Sequence, residues 1–108
     1  MIARIWHGKT TLAKADAYMD EYFHKTGLVD YQATTGNLGV LVLRQDEGEQ
    51  ADFLMITLWE SKDAIRKFAG DDINKARYYP EDRQYFTELE PNVAHYDVLV
   101  NALDSANK

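Results

Sequence analysis

Leu38-Gly39-Val40-Leu41-Val42-Leu43 and, one turn later, Phe53-Leu54-Met55-Ile56-Thr57-Leu58-Trp59 decide the fold. Both runs are rich in large and β-branched apolar residues, the composition of strands. The stretch Asp46–Gln50 between them is acidic and holds Gly48, so the pair reads as a β-hairpin. An antiparallel sheet covered by helices on one side ordinarily turns polar residues to the other. These strands are apolar at nearly every position and leave no polar side. An exposed apolar sheet face is best covered by a second copy of itself, related by a twofold axis. The chain is therefore expected to be a homodimer.

Working outward, Met1–Lys9 reads as a first strand, followed by Thr10 and Thr11 as helix-capping residues. Leu12, Ala15, Tyr18, Met19, Tyr22 and Phe23 recur at helical spacing, and Lys25 with Gly27 marks the expected end of that helix. Residues 28–36 read as an irregular strand or a loop. Ser61 caps a second helix whose apolar stripe is Ala64, Ile65, Phe68 and Ala69, and Gly70 ends it. Pro80-Glu81-Asp82 has the form of a helix start, so 80–89 is expected to be a short helix. Residues 92–100 read as the last strand. The order predicts an α+β, ferredoxin-like split βαβ fold: a four-stranded antiparallel sheet with helices on one face. One domain is expected over 1–100, with a small polar tail over 101–108.

Composition narrows the function. With 12 Lys+Arg against 18 Asp+Glu, the formal net charge is −6, which disfavours nucleic acid and anionic membrane surfaces as partners. The absence of Cys removes thiol nucleophiles, disulfides and Cys-ligated metals. The three histidines have no metal-ligand spacing, so no metal is expected. Met1–Thr10 lacks the apolar run of a signal peptide, and no segment is apolar over a membrane-spanning length. A cytoplasmic location is the expectation. Ser occurs only at Ser61 and Ser105, and Ser61 is assigned to a helix cap, so serine nucleophiles are excluded as well.

Three features carry possible chemistry. His95 stands in an otherwise apolar last strand, as a base active near neutral pH or as a core histidine held by a backbone partner. Tyr78 and Tyr79 precede the Pro80 turn, as donors to a ligand or as packing side chains. Trp59 closes the third strand, as the wall of a cleft or as a core ring. An aromatic-rich interior of this kind could hold a flat organic ligand or be ordinary core.

The strand end Leu58-Trp59-Glu60-Ser61, the helix Lys62–Ala69 with Phe68, the stretch Lys75-Ala76-Arg77-Tyr78-Tyr79-Pro80-Glu81-Asp82 and the strand Val93-Ala94-His95-Tyr96 together resemble the antibiotic biosynthesis monooxygenase domain family, of the dimeric α/β-barrel group. The resemblance covers about residues 1–100. It implies a ferredoxin-like protomer, a dimer whose two sheets form a barrel, and a pocket between sheet and helices in each protomer. Members include cofactor-free oxygenases of quinol- and polyphenol-like substrates, haem-degrading enzymes and proteins of signalling roles. The haem-degrading branch carries a helix Trp followed by a His iron ligand; the matching positions here hold Phe68 and Tyr78. Its first-strand Asn has no counterpart among Ile5, Trp6 and His7. The expectation is thus a cofactor-independent monooxygenase acting on a small electron-rich aromatic. His95 is the expected base, Arg77 the anion anchor and Tyr78 a donor, with Trp59, Phe68 and Tyr79 as binding walls. The competing reading is a non-catalytic ligand-binding or stress-associated dimer of the same fold.

Overall fold

The computed structural model describes residues 1–103, so the 104–108 part of the expected tail lies outside the described residues. The central strand, β1 (Ile2–Thr11), lies antiparallel to β3 (Gln50–Trp59), and β3 forms the hairpin with β2 (Asn37–Glu47). Both hairpin strands run further toward the turn than the apolar runs alone indicate. Gly48 supplies the turn with φ +60°.

The other edge of β1 differs from the expected single strand. β4 (Phe86–Leu89) pairs with Gly8–Thr10, and β5 (Ala94–Asp97) pairs with Ile2–Ile5. Two short strands thus share one edge, and the sheet has five strands in four positions. The expected helix over 80–89 is a single 3-10 turn at Pro80–Gln84 that runs into β4. Its start signals are real: Asp82 Oδ2 accepts the Tyr79 amide at 2.7 Å. They govern only the first turn, because Phe86 must reach the sheet to cover Trp6.

The first helical region also departs from expectation. α1 (Leu12–Ala17) passes into a π turn (Tyr18–Tyr22) and a 3-10 turn (Phe23–Lys25), and then a new helix, α2 (Gly27–Ala33), replaces the expected strand or loop. Gly27 does not stop the helix. A Cβ there would stand 2.8 Å from Phe23 Cε1, so glycine is needed for close approach of that ring. The Thr26 hydroxyl donates to the Tyr22 carbonyl at 2.8 Å and holds the kink. α3 (Lys62–Ala69) matches expectation: the Ala64 amide donates to the Ser61 hydroxyl at 3.2 Å, and Gly70 leaves with φ +92°.

The helices lie on one face of the sheet. Along β1 the even-numbered residues from Arg4 to Thr10 are buried beneath them, as are Ala51, Phe53, Met55, Thr57 and Trp59 of β3. The opposite face carries Ile5, Leu41, Leu43, Leu54, Ile56, Leu58 and Tyr96, with Leu41, Leu43 and Tyr96 exposed. No helix among the described residues is long and apolar enough to cross a membrane.

Candidate functional site

A cleft opens between the sheet and the helical layer, with Arg4 and Trp6 from β1 at its base. Its walls are rings: Tyr18 and Phe23 from the first helical segment, Tyr31 from α2, Phe68 from α3 and Phe86 from β4. Tyr31 stacks on Phe68 at 4.3 Å between centroids, and Trp6 meets Phe86 edge-on at 5.2 Å. Gly8 makes this possible. A Cβ there would lie 2.3 Å from Trp6 Cη2, so only glycine lets the indole lie along the strand. As packed, the rings leave about 30 Å³ free in this half-open cleft, room for one or two waters.

The polar groups come mostly from residues 77–82. Arg77 spans the mouth: one amino group donates to the Phe68 carbonyl at 3.1 Å and the other to Asp30 Oδ2 at 3.1 Å. Its guanidinium lies 4.7 Å from the Phe68 centroid and 5.2 Å from that of Tyr79. The Tyr79 phenol donates to the same Asp30 oxygen. Asp30 on α2 therefore latches the 77–79 segment across the cleft. Deeper, the Tyr78 hydroxyl accepts from Trp6 Nε1 at 2.8 Å and donates to the Glu90 carbonyl. Burial, the leading cause in each case, pushes Tyr18, Tyr31, Tyr78 and Tyr79 above the ordinary phenol range. They stay neutral and act as hydrogen-bond donors, not bases.

Asp82 is the one carboxylate that lines the cleft. It is buried, and desolvation raises its pKa against the opposing hydrogen bond of the Tyr79 amide. Arg4 is 2% exposed. One of its amino groups donates to the Lys75 carbonyl at 2.9 Å, its guanidinium lies 5.7 Å from the Phe68 centroid, and its Nε is buried without a partner.

Of the residues expected at the site, Phe68, Arg77, Tyr78 and Tyr79 meet at this cleft. His95 and Trp59 do not line it. β5 joins the Ile2–Ile5 end of β1, and His95 sits across from Arg4 on the helix side, where Arg4 reaches the cleft and His95 does not. Its Nε2 is buried without a partner. Burial, then the charges of Arg4 and Lys62, lower its pKa. Trp59 is fully buried, with its indole nitrogen donating to Thr57 Oγ1 at 2.8 Å, and lies 5.8 Å from Phe68 and 6.3 Å from Tyr31. It supports the rings that line the cleft.

Sequence reasoning missed Arg4 and assigned Asp82 only to a helix start. The available signal for Arg4 was parity: it shares the strand face of Trp6, so a core tryptophan there implied a buried cation. A further cluster was missed on the sheet's open side. His7 donates from Nε2 to Asp52 at 2.5 Å and from Nδ1 to Glu90 at 2.8 Å. Burial lowers its pKa, but hydrogen bonds to Glu90 and Asp52 outweigh that and raise it overall.

No family model and no curated protein matches the chain. Solved structures do. A point mutant of MhuD with two manganese protoporphyrins per active site shares 19% identity at a TM-score of 0.59, covering 94% of this chain and 97% of that one. The haem degrader MhuD of Mycobacterium tuberculosis, with two haems in its active site, shares 22% at 0.58, covering 94% and 98%. A provisionally assigned antibiotic biosynthesis monooxygenase from Bacillus cereus shares 13% at 0.59, covering 93% and 94%. These likenesses show the ferredoxin-like α+β fold over nearly the whole chain.

Two of these neighbours hold porphyrins, and Tyr78 does not offer a free iron ligand for one. At the position expected for an iron ligand, its hydroxyl is engaged by Trp6 and Glu90.

Proposed function

We propose that this protein is a cofactor-independent monooxygenase acting on a small electron-rich phenol or quinol in the cleft. The observation that supports this best is the meeting of two guanidinium groups, neutral phenols and one buried carboxylate at the mouth and base of an aromatic-walled cleft. The substrate must lose a proton before it can reduce O₂. Asp82 is the base nearest to hand, and its raised pKa brings it closer to a phenol's. Arg77 stabilises the phenolate, and Tyr79, once released from Asp30, orients it. The ring then takes one oxygen atom from O₂. The other leaves as water, carrying the two hydrogens lost by the phenol as it becomes a quinone. Entry requires the 77–79 segment to swing from Asp30, since the rings as packed leave space for water only.

The working form in this proposal is a homodimer closed over the apolar face that carries Leu41, Leu43, Leu54, Ile56 and Tyr96. An apolar face left open between β1, β2 and β3 supports this assembly. Oxygen uptake with a panel of hydroquinones and naphthols, in metal-chelated buffer, tests the reading. Saturable uptake by the purified protein that Arg77→Met lowers is expected; none above the spontaneous rate would overturn it.

The second reading, a non-catalytic binding dimer, is favoured by the placement of His95 outside the cleft. It predicts ligand binding with no oxygen uptake.

A further inference from the structure

Arg4 presents a problem of charge. It lies at the base of the cleft, 2% exposed, with its Nε buried and unpartnered. Among the described residues Arg77 is paired with Asp30, Arg44 with Asp16 and Asp46, and Arg66 with Asp63, but Arg4 has no carboxylate within ion-pair distance. Its surroundings are a backbone carbonyl at Lys75, the Phe68 ring, the Tyr31 and Tyr78 phenols, and an imidazole at His95. A guanidinium is always charged, and burying one without a counter-charge is costly. No carboxylate of the described residues pairs with it.

We propose that Arg4 is an anion anchor, and that the ligand of this cleft is a small aromatic carrying one ionised oxygen group, an aryl carboxylate or an acidic phenol. This rests on the reading of the cleft as a ligand site and narrows it to a substrate class. The Nε–H with a neighbouring amino N–H forms the fork that binds a carboxylate in two parallel hydrogen bonds, or one phenolate oxygen between them. The ligand's ring then lies along Phe68 and Tyr31, whose stack forms the wall beside Arg4. Asp82, the one carboxylate lining the cleft, repels a second anion, so a single acidic group is specified.

Calorimetric titration of the full chain with benzoate, 4-hydroxybenzoate and 4-nitrophenolate, each against its neutral counterpart (benzamide, 4-hydroxybenzamide, 4-nitroanisole), tests this. The anions are expected to bind at least about tenfold more tightly, the effect of one charge-assisted pair. Arg4→Met should remove that preference without weakening the neutral compounds, and Arg4→Lys should restore part of it. Equal affinity for anion and neutral partner, an Arg4→Met protein that keeps the preference, or no saturable binding by any of the anions would overturn the proposal. The comparison of anion with neutral partner needs no variant, so it stands even where Arg4→Met fails to fold. Oxygen uptake reports separately on catalysis. Anion binding through Arg4 with no uptake upholds the anchor and rejects the oxygenase; turnover of neutral quinols with no anion preference does the reverse.

Discussion

His7 and Tyr78 are joined through a single residue. The Glu90 carboxylate accepts from His7 Nδ1 on the open side of the sheet, and the Glu90 carbonyl accepts from the Tyr78 phenol in the cleft. A proton on His7 therefore helps to hold the residue on which Tyr78 rests.

Both ring nitrogens of His7 pair with carboxylates, which favours the imidazolium and raises its pKa against the lowering effect of burial. A raised folded pKa means that its stabilisation is complete below the unfolded value of about 6.5 and fades as pH rises through the folded value. The thermal midpoint should therefore decline as pH rises from about 6.5 through the folded value. His7→Gln should flatten the decline. A variant whose midpoint keeps the parental slope would remove His7 as its source.

The assembly is checked by charge. Leu41 is exposed on the apolar face, on the edge strand β2. The parent should sediment at micromolar concentration with twice the chain mass, and Leu41→Glu should shift it to the monomer with its circular dichroism retained. A folded parental monomer would refute the dimer.

The proton acceptor is checked by paired variants. Asp82→Asn should lower oxygen-coupled turnover by about 10²- to 10⁴-fold, the usual contribution of a general base. The parental rate should also fall as acid protonates Asp82, whose raised pKa moves that loss to a higher pH than for an ordinary carboxylate. His95→Ala should change stability and leave turnover per folded protein unchanged. The opposite pattern would return the role of base to His95.

The latch is checked by kinetics. Asp30 holds both Arg77 and Tyr79, and the ion pair is about one-third exposed, so it contributes at most about 1 kcal/mol. Asp30→Ala should quicken association of an aryl carboxylate by roughly two- to fivefold in stopped flow. An unchanged rate would show that the ligand enters elsewhere.

The elements legible in the sequence were those specified by neighbours in the chain. The hairpin shows in its apolar runs and Gly48, and α3 shows in Ser61, its stripe and Gly70. Gly27 misled because a glycine required by a ring four residues back looks the same as a helix stop. Pro80 and Asp82 announce a turn without saying that Phe86 leaves it for the sheet. The same division applies at the site. Arg77, Tyr78 and Tyr79 are contiguous and were found together. Arg4, Asp30 and Asp82 converge only through sheet register and the kink at Thr26, and no local pattern encodes their meeting.

Trp6 and Gly8 bear on how the protein could be altered. The indole occupies the space where a side chain at position 8 would begin, and the same indole holds the Tyr78 hydroxyl. The two positions therefore cannot drift independently. A library randomised at 8 alone should return glycine almost exclusively, whereas one randomised at 6 and 8 together can trade the tryptophan for a smaller ring plus a side chain at 8. Such double replacements would reshape the cleft floor and free Tyr78, giving a laboratory route to new ligand preferences that no single substitution opens.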